Sequence, residues 1–204
     1  FDRQEYSANW LNSINFGNLD LALVQFTSNK YYEIAILGDS NGLLMNDKVY
    51  AAGFPAWHFV KDENTIIALK NTRDWGVRAF RFTTGTVGMF VHPKLKGGYQ
   101  IGYTNDILQG MSGGPLLNQN GELIGINGKS KYPLRGVEAY IFADGMMPSE
   151  QQLRQMEAFS WAVPIANYHQ VFGSIHEQLS EIQPNKYNLN SSYSYWQQTV
   201  FDCN

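Results

Sequence analysis

Residues 110–115 read Gly110-Met111-Ser112-Gly113-Gly114-Pro115, a hydroxyl set among glycines. Nucleophilic catalysis needs such a setting: glycine lets the backbone turn tightly, and its bare N–H groups can face a developing oxyanion. Far upstream, Asp20 stands in Asn18-Leu19-Asp20-Leu21-Ala22-Leu23-Val24, a carboxylate opening an apolar strand. A carboxylate there is the usual third member of a hydroxyl–imidazole–carboxylate relay. The apolar residues after it imply burial, and a buried carboxylate needs donors to stay ionised. The imidazole is the gap. None of the four histidines, His58, His92, His169 and His176, precedes Asp20.

These groups must be held by strands. Short β-rich runs punctuated by Gly, Asn and Asp fill residues 1–145, with candidates at 21–26, 32–37, 48–54, 65–69, 79–90, 99–103, 116–117, 123–127 and 137–142. The stretch 115–126 reads as a hairpin in which Asn120-Gly121 supplies the positive-φ turn positions. No amphipathic helical period precedes residue 149, so an antiparallel barrel or sandwich is expected rather than a βαβ fold. Ser149 opens a short helical stretch to Ala158. Beyond Pro164, apolar residues from Ile165 to Ile182 step at helical spacing, and from Pro184 the chain is rich in Asn, Ser and Tyr. The turn-rich stretch 38–48 reads as a linker between two lobes.

The bulk numbers fit one ordinary domain or two small lobes: 204 residues, 44% hydrophobic, 16% charged, net charge −3. The slight acidity gives no electrostatic reason to expect nucleic acid or an anionic membrane as partner. No apolar run approaches the roughly 18 residues of a membrane span. A single cysteine, Cys203, argues against disulfide reinforcement and a thiolate metal site, so neither metal nor cofactor is expected. Cytoplasm and periplasm are equally compatible. The opening Phe1-Asp2-Arg3-Gln4-Glu5-Tyr6 reads as mid-domain sequence, and the chain is expected to begin inside a larger polypeptide.

The glycine motif preceded by Leu19-Asp20-Leu21-Ala22-Leu23 resembles the trypsin/chymotrypsin superfamily of serine peptidases, especially bacterial, HtrA-like members and those common in cyanobacteria. The phrases Val49-Tyr50-Ala51-Ala52-Gly53-Phe54-Pro55, Tyr103-Thr104-Asn105-Asp106 and Phe159-Ser160-Trp161-Ala162-Val163-Pro164-Ile165 are similar to that branch in the same order. The resemblance implies an all-β fold of two antiparallel β-barrels with the site between them, the first barrel incomplete in this chain. It divides the chain into residues 1–40 (end of the first barrel), 41–163 (second barrel), 164–183 (C-terminal helix) and 184–204 (terminal extension). Fold alone does not license a function.

Carried over residue by residue, the resemblance makes Ser112 the acyl-forming nucleophile and Asp20 the group that orients the imidazole. The N–H groups of Gly110 and Ser112 become the oxyanion hole. Asp106, six residues before the nucleophile, stands where trypsin-type members place the acid of the specificity pocket, which implies cleavage after Arg or Lys. Ile126-Asn127-Gly128 resembles the strand that pairs with substrate backbone. Met111 departs from the secreted digestive enzymes, whose aspartate there pairs with a new N-terminal amine; methionine cannot form that ion pair.

Three readings of the absent histidine stay open. Residues preceding Phe1 carry it, on the same or a separately cleaved segment; or His58, in a loop near the oxyanion turn, replaces it; or the fold is inactive and binds peptide or protein without cleaving it. The first is favoured. A rival class is the α/β-hydrolase elbow Gly-x-Ser-x-Gly, with Ser112, Asp144 and His169 in that order. It requires a helix after the serine, where Pro115 and an Asn-Gly hairpin stand instead.

Overall fold

The computed structural model describes residues 6–10, 16–28, 30, 32–62, 65–71, 76–133 and 135–168. Ten strands are present among them: β1 (Ala8–Trp10), β2 (Val24–Phe26), β3 (Lys48–Gly53), β4 (Trp57–Asp62), β5 (Thr65–Asn71), β6 (Arg81–Phe90), β7 (Ile101–Tyr103), β8 (Pro115–Asn118), β9 (Leu123–Lys129) and β10 (Ser160–Pro164). Six of them close an antiparallel barrel in the order β10-β7-β6-β3-β8-β9. β1 and β2 form a separate two-stranded sheet, and β4 and β5 a second. The all-β expectation holds, with one complete barrel.

Alternation builds the barrel interior. On β3, Val49 and Ala51 point inward and meet Val87, Ile101, Tyr103, Ile107, Met111, Leu116, Ile124 and Ala162. β10 is buried at all five positions because it is covered on both faces: Ala162 belongs to the interior, while Trp161 and Val163 pack outside with Leu95, Tyr99, Tyr140 and Met156. A helix, α1 (Glu150–Met156), lies over that outer layer, its N-terminus closed by a reciprocal capping box between Ser149 and Gln152. Trp161 Nε1 donates to the carbonyl of Met156 at 3.1 Å, which ties α1 to β10.

The segment that carries Asp20 is anchored by its own period-two pattern. Leu19, Leu21 and Leu23 pack with Phe16, Ile126, Ile165 and Tyr168 on the outer face of β9 and β10. Burying one such side chain contributes about 1.5–3 kcal/mol, against about 1 kcal/mol for a backbone hydrogen bond. The leucines therefore dominate, and the bond from Asp20 N–H to the Gly97 carbonyl (2.8 Å) fixes register.

Several elements differ from the sequence reading. Residues 32–37 form no strand; only Leu37 makes a bridge, to Leu123. Residues 137–142 fall largely in a 3₁₀ helix, Gly136–Tyr140, which follows a turn closed by Gly136 N–H to the Pro133 carbonyl at 3.0 Å. In the β8–β9 hairpin only Gly121 has positive φ (+79°); Asn118 Oδ1 organises the rest by accepting from the N–H groups of Asn120 (2.9 Å) and Glu122 (3.0 Å). The helix expected over 164–183 lies outside the described residues beyond 168, as do the extension 184–204, His169 and His176; Pro164 itself ends β10. Among the described residues no helix is long and apolar enough to cross a membrane, and no cluster of His, Cys, Asp or Glu is arranged to hold a metal.

Candidate active site

Ser112 sits in the turn between β7 and β8, half-buried, and its Oγ donates to the Gly128 carbonyl at 3.0 Å. The turn is stitched to β9 on both sides of that contact. Gly113 N–H donates to the Asn127 carbonyl (2.8 Å), and Asn127 N–H to the Gly114 carbonyl (2.9 Å). Gly110 has φ +93°, and a Cβ there would overlap the Ala56 nitrogen and sit 2.9 Å from the Phe54 carbonyl oxygen. Only glycine lets the turn approach the 54–56 loop this closely, where Ala56 N–H holds the Gln109 carbonyl at 2.7 Å. Among the described residues, the N–H groups of Gly110 and Ser112 donate to no acceptor, whereas those of Met111, Gly113 and Gly114 do. Two donors without acceptors on the turn that carries a hydroxyl are what an oxyanion site requires.

Met111 is fully buried in the barrel interior, its Cβ within 3.0 Å of where a side chain at Gly53 would begin. Its sulfur accepts from Leu108 N–H at 3.5 Å. An apolar side chain thus anchors the turn from below. Met111→Asp would bury a carboxylate with no cation in that cluster, at a cost of about 3–5 kcal/mol; the expected result is a melting temperature lower by about 10 °C or more, measured by thermal unfolding.

Asp20 is half-buried, and its Oδ2 accepts a hydrogen bond from the Tyr99 hydroxyl. Tyr99 in turn lies against Gly128, where a Cβ would overlap the tyrosine ring and oxygen. Asp20, Tyr99, Gly128 and Ser112 are therefore consecutive neighbours, and the two residues singled out first in the sequence are brought to one place. Lys129 Nζ stands 4.3 Å from the Tyr99 ring centroid.

The expected substrate strand is used differently along its length. Ile126 pairs on both sides, with Pro115 and Val163, and its side chain is buried. Asn127 is also buried: its Oδ1 accepts from Tyr103 Oη (2.8 Å) and its Nδ2 donates to the carbonyls of Pro115 (3.1 Å) and Ala52 (3.3 Å). Burial pushes the Tyr103 phenol well up, so it stays a donor. Both side chains are thus committed to the fold. Gly128 alone of the three meets Ser112.

The Asp106 side chain is 77% exposed and pairs with Lys131 Nζ at 2.6 Å, Lys131 being 25% exposed. A carboxylate this exposed is solvated, whereas the pocket floor expected from its spacing is desolvated. His58 lies on β4 opposite Lys70 rather than in a loop, and its side chain falls outside the described residues; the loop before it, at Ala56, does touch the turn. His92 is exposed in the β6–β7 connection. The hydrolase-elbow alternative fails because Ser112 leads into β8 of an antiparallel barrel, and Asp144 is an exposed turn residue accepting from Met146 N–H at 2.9 Å.

Sequence reasoning missed Tyr99 and Lys131. The pair Gly97-Gly98 before Tyr99, both at positive φ (+89° and +85°), signals a tight turn, but nothing local ties the tyrosine to Asp20.

A closed antiparallel barrel carrying a glycine-bounded serine defines a trypsin-like peptidase fold. A family model of the trypsin-like peptidase domain matches residues 1–126, and the chain belongs to that family. It is similar to the serine protease Do-like HtrB of Bacillus subtilis strain 168, 33% identical over 127 residues, or 61% of this chain and 24% of that protein. It is similar to serine protease HTRA4 of Homo sapiens, 26% identical over 169 residues, 78% of this chain and 25% of that protein. It also matches the magnetosome formation protease MamE of Magnetospirillum gryphiswaldense, 32% identical over 109 residues, 53% of this chain and 12% of that protein. The chain thus spans at most about a quarter of the length of these relatives. The solved structure of the HtrA-type protease AlgW with a decapeptide shares the fold, with TM-score 0.52 and 23% identity over 85% of this chain and 42% of that one.

Proposed function

We propose that this domain is the serine-nucleophile part of an HtrA-type endopeptidase that hydrolyses peptide bonds through an acyl-enzyme on Ser112. The observation that carries the reading is the Ser112 turn: a half-buried hydroxyl on a turn whose Gly110 and Ser112 N–H groups donate to no acceptor among the described residues, one neighbour away from the Tyr99 that holds Asp20. In the reaction Ser112 Oγ leaves the Gly128 carbonyl and attacks the scissile carbon. Its proton passes to an imidazole, a group that no residue ahead of Asp20 in this sequence supplies. The oxyanion meets the Gly110 and Ser112 N–H groups, each worth about 3 kcal/mol of barrier. Collapse breaks the C–N bond, the imidazole returns the proton to the leaving amine, and water releases the acyl group. Asp20 orients the imidazole and stabilises it when protonated.

Substrate backbone is expected to add along the end of β9, its N–H taking the Gly128 carbonyl that Ser112 holds in the free protein. Asp106 is 77% exposed and already paired with Lys131, and a carboxylate in water attracts a basic side chain only weakly, so cleavage after Arg or Lys is not expected to dominate. A peptide-library digest by the full-length protein checks this, and dominant cleavage after basic residues would restore Asp106 to the pocket.

The test of the function is fluorophosphonate labelling of the full-length protein. Labelling that disappears in Ser112→Ala supports the peptidase. A protein that never labels is instead a peptide-binding module on the same scaffold.

A further inference from the structure

Tyr99 is 1% exposed, and its hydroxyl donates to the half-buried Asp20 carboxylate. Its ring is fixed from several sides. It packs with Leu95, Trp161 and Val163, and its own carbonyl accepts from Leu95 N–H at 2.9 Å. The two glycines beside it have no side chain because the ring occupies that space: a Cβ at Gly97 would stand 2.9 Å from Tyr99 Cε2, and one at Gly128 would overlap Cε1 and Oη. The Lys129 ammonium covers a face of the ring, 4.3 Å from its centroid. A phenol held this way has little freedom to aim its O–H elsewhere.

We propose that Tyr99 is the positioning residue of the relay, a rigid spacer that holds the Asp20 carboxylate by hydrogen bond and sets its distance from Ser112 by contact with Gly128. The assignment rests on the peptidase reading above and names a residue that the glycine motif and the Asp20 motif do not contain. A hydrogen bond from a neutral O–H to a carboxylate is shorter and stronger than one between neutral groups, so it fixes the plane in which the carboxylate meets an imidazole. The same hydroxyl end of the ring, at Cε1 and Oη, abuts Gly128, whose carbonyl receives Ser112 Oγ. One side chain therefore transmits geometry between the two ends of the relay. A misplacement of about 1 Å in such a relay costs on the order of 100-fold in rate.

The test uses the full-length protein, followed by fluorophosphonate labelling rate and by kcat and KM on a peptide substrate. Tyr99→Phe keeps the ring and removes only the donor; kcat and labelling rate are expected to fall about 10- to 100-fold with KM within about twofold. A second pair of variants separates positioning from packing. Tyr99→Val empties the space in front of Gly128, and Gly128→Ser then projects a hydroxyl into it. Tyr99→Val/Gly128→Ser is expected to regain at least about tenfold of the kcat lost in Tyr99→Val, whereas a packing role gives no regain. Wild-type labelling with an unchanged rate in Tyr99→Phe overturns the assignment while leaving the peptidase reading intact. A wild-type protein that never labels at Ser112 overturns both.

Discussion

Ser112→Ala is expected to lower peptide turnover by the full-length protein about 10⁶-fold, the largest effect of any single substitution in this chain. The fall is that large because the other members of a relay act only through the nucleophile: without Oγ, the imidazole has no proton to take and the carboxylate nothing to orient. What survives is expected from the proposed oxyanion donors, the Gly110 and Ser112 N–H groups, which the alanine variant keeps, and from the proposed substrate binding along β9. KM should therefore stay within a few-fold. Stability should change little, since the substitution removes one half-buried hydrogen bond, to the Gly128 carbonyl, worth about 1 kcal/mol. Steady-state hydrolysis with thermal unfolding on the same samples checks both halves. Turnover that persists within tenfold in Ser112→Ala would place the chemistry elsewhere.

How much of this could be read beforehand follows from the range of each interaction. The Ser112 turn is local: its glycines, its positive φ at Gly110 and the strand after Pro115 lie within a few residues, so the sequence displays them together. The Asp20 segment is also legible, because Leu19, Leu21 and Leu23 alternate around it. β10 carries no alternation, since all five residues are buried, and a strand covered on both faces has no period to detect. The run at 137–142 has strand-forming residues but follows a positive-φ turn at Gly136 and coils into a 3₁₀ helix that buries Ala139 and Tyr140. The surroundings of Asp106 were not legible for a different reason. Its environment is set by Lys131, 25 residues away, and spacing to the nucleophile says nothing of that partner. Tyr99 meets Asp20 across 79 residues and only in the closed barrel. Its place could not be inferred from any window of the chain.

Asp20→Asn is expected to cost about 10⁴-fold in kcat, and the direction of the Tyr99 hydrogen bond explains why so isosteric a change is so damaging. Tyr99 donates to Asp20 Oδ2. An asparagine at position 20 satisfies the buried phenol only by turning its carbonyl oxygen toward it, which commits the amide N–H₂ to the other side of the group. An imidazole on that side needs an acceptor for its N–H and meets a donor, so it is held in the wrong tautomer and cannot take the Ser112 proton. The two residues are therefore coupled, and substitutions at them should not add. In a Tyr99→Phe background the amide loses the donor that draws its oxygen away from the imidazole, so Asp20→Asn should cost at least about tenfold less there than in the parent protein. A double-mutant cycle on kcat measures the difference. Strict additivity would mean that Tyr99 does not govern which face Asp20 presents, and that the carboxylate is oriented by other groups of the site.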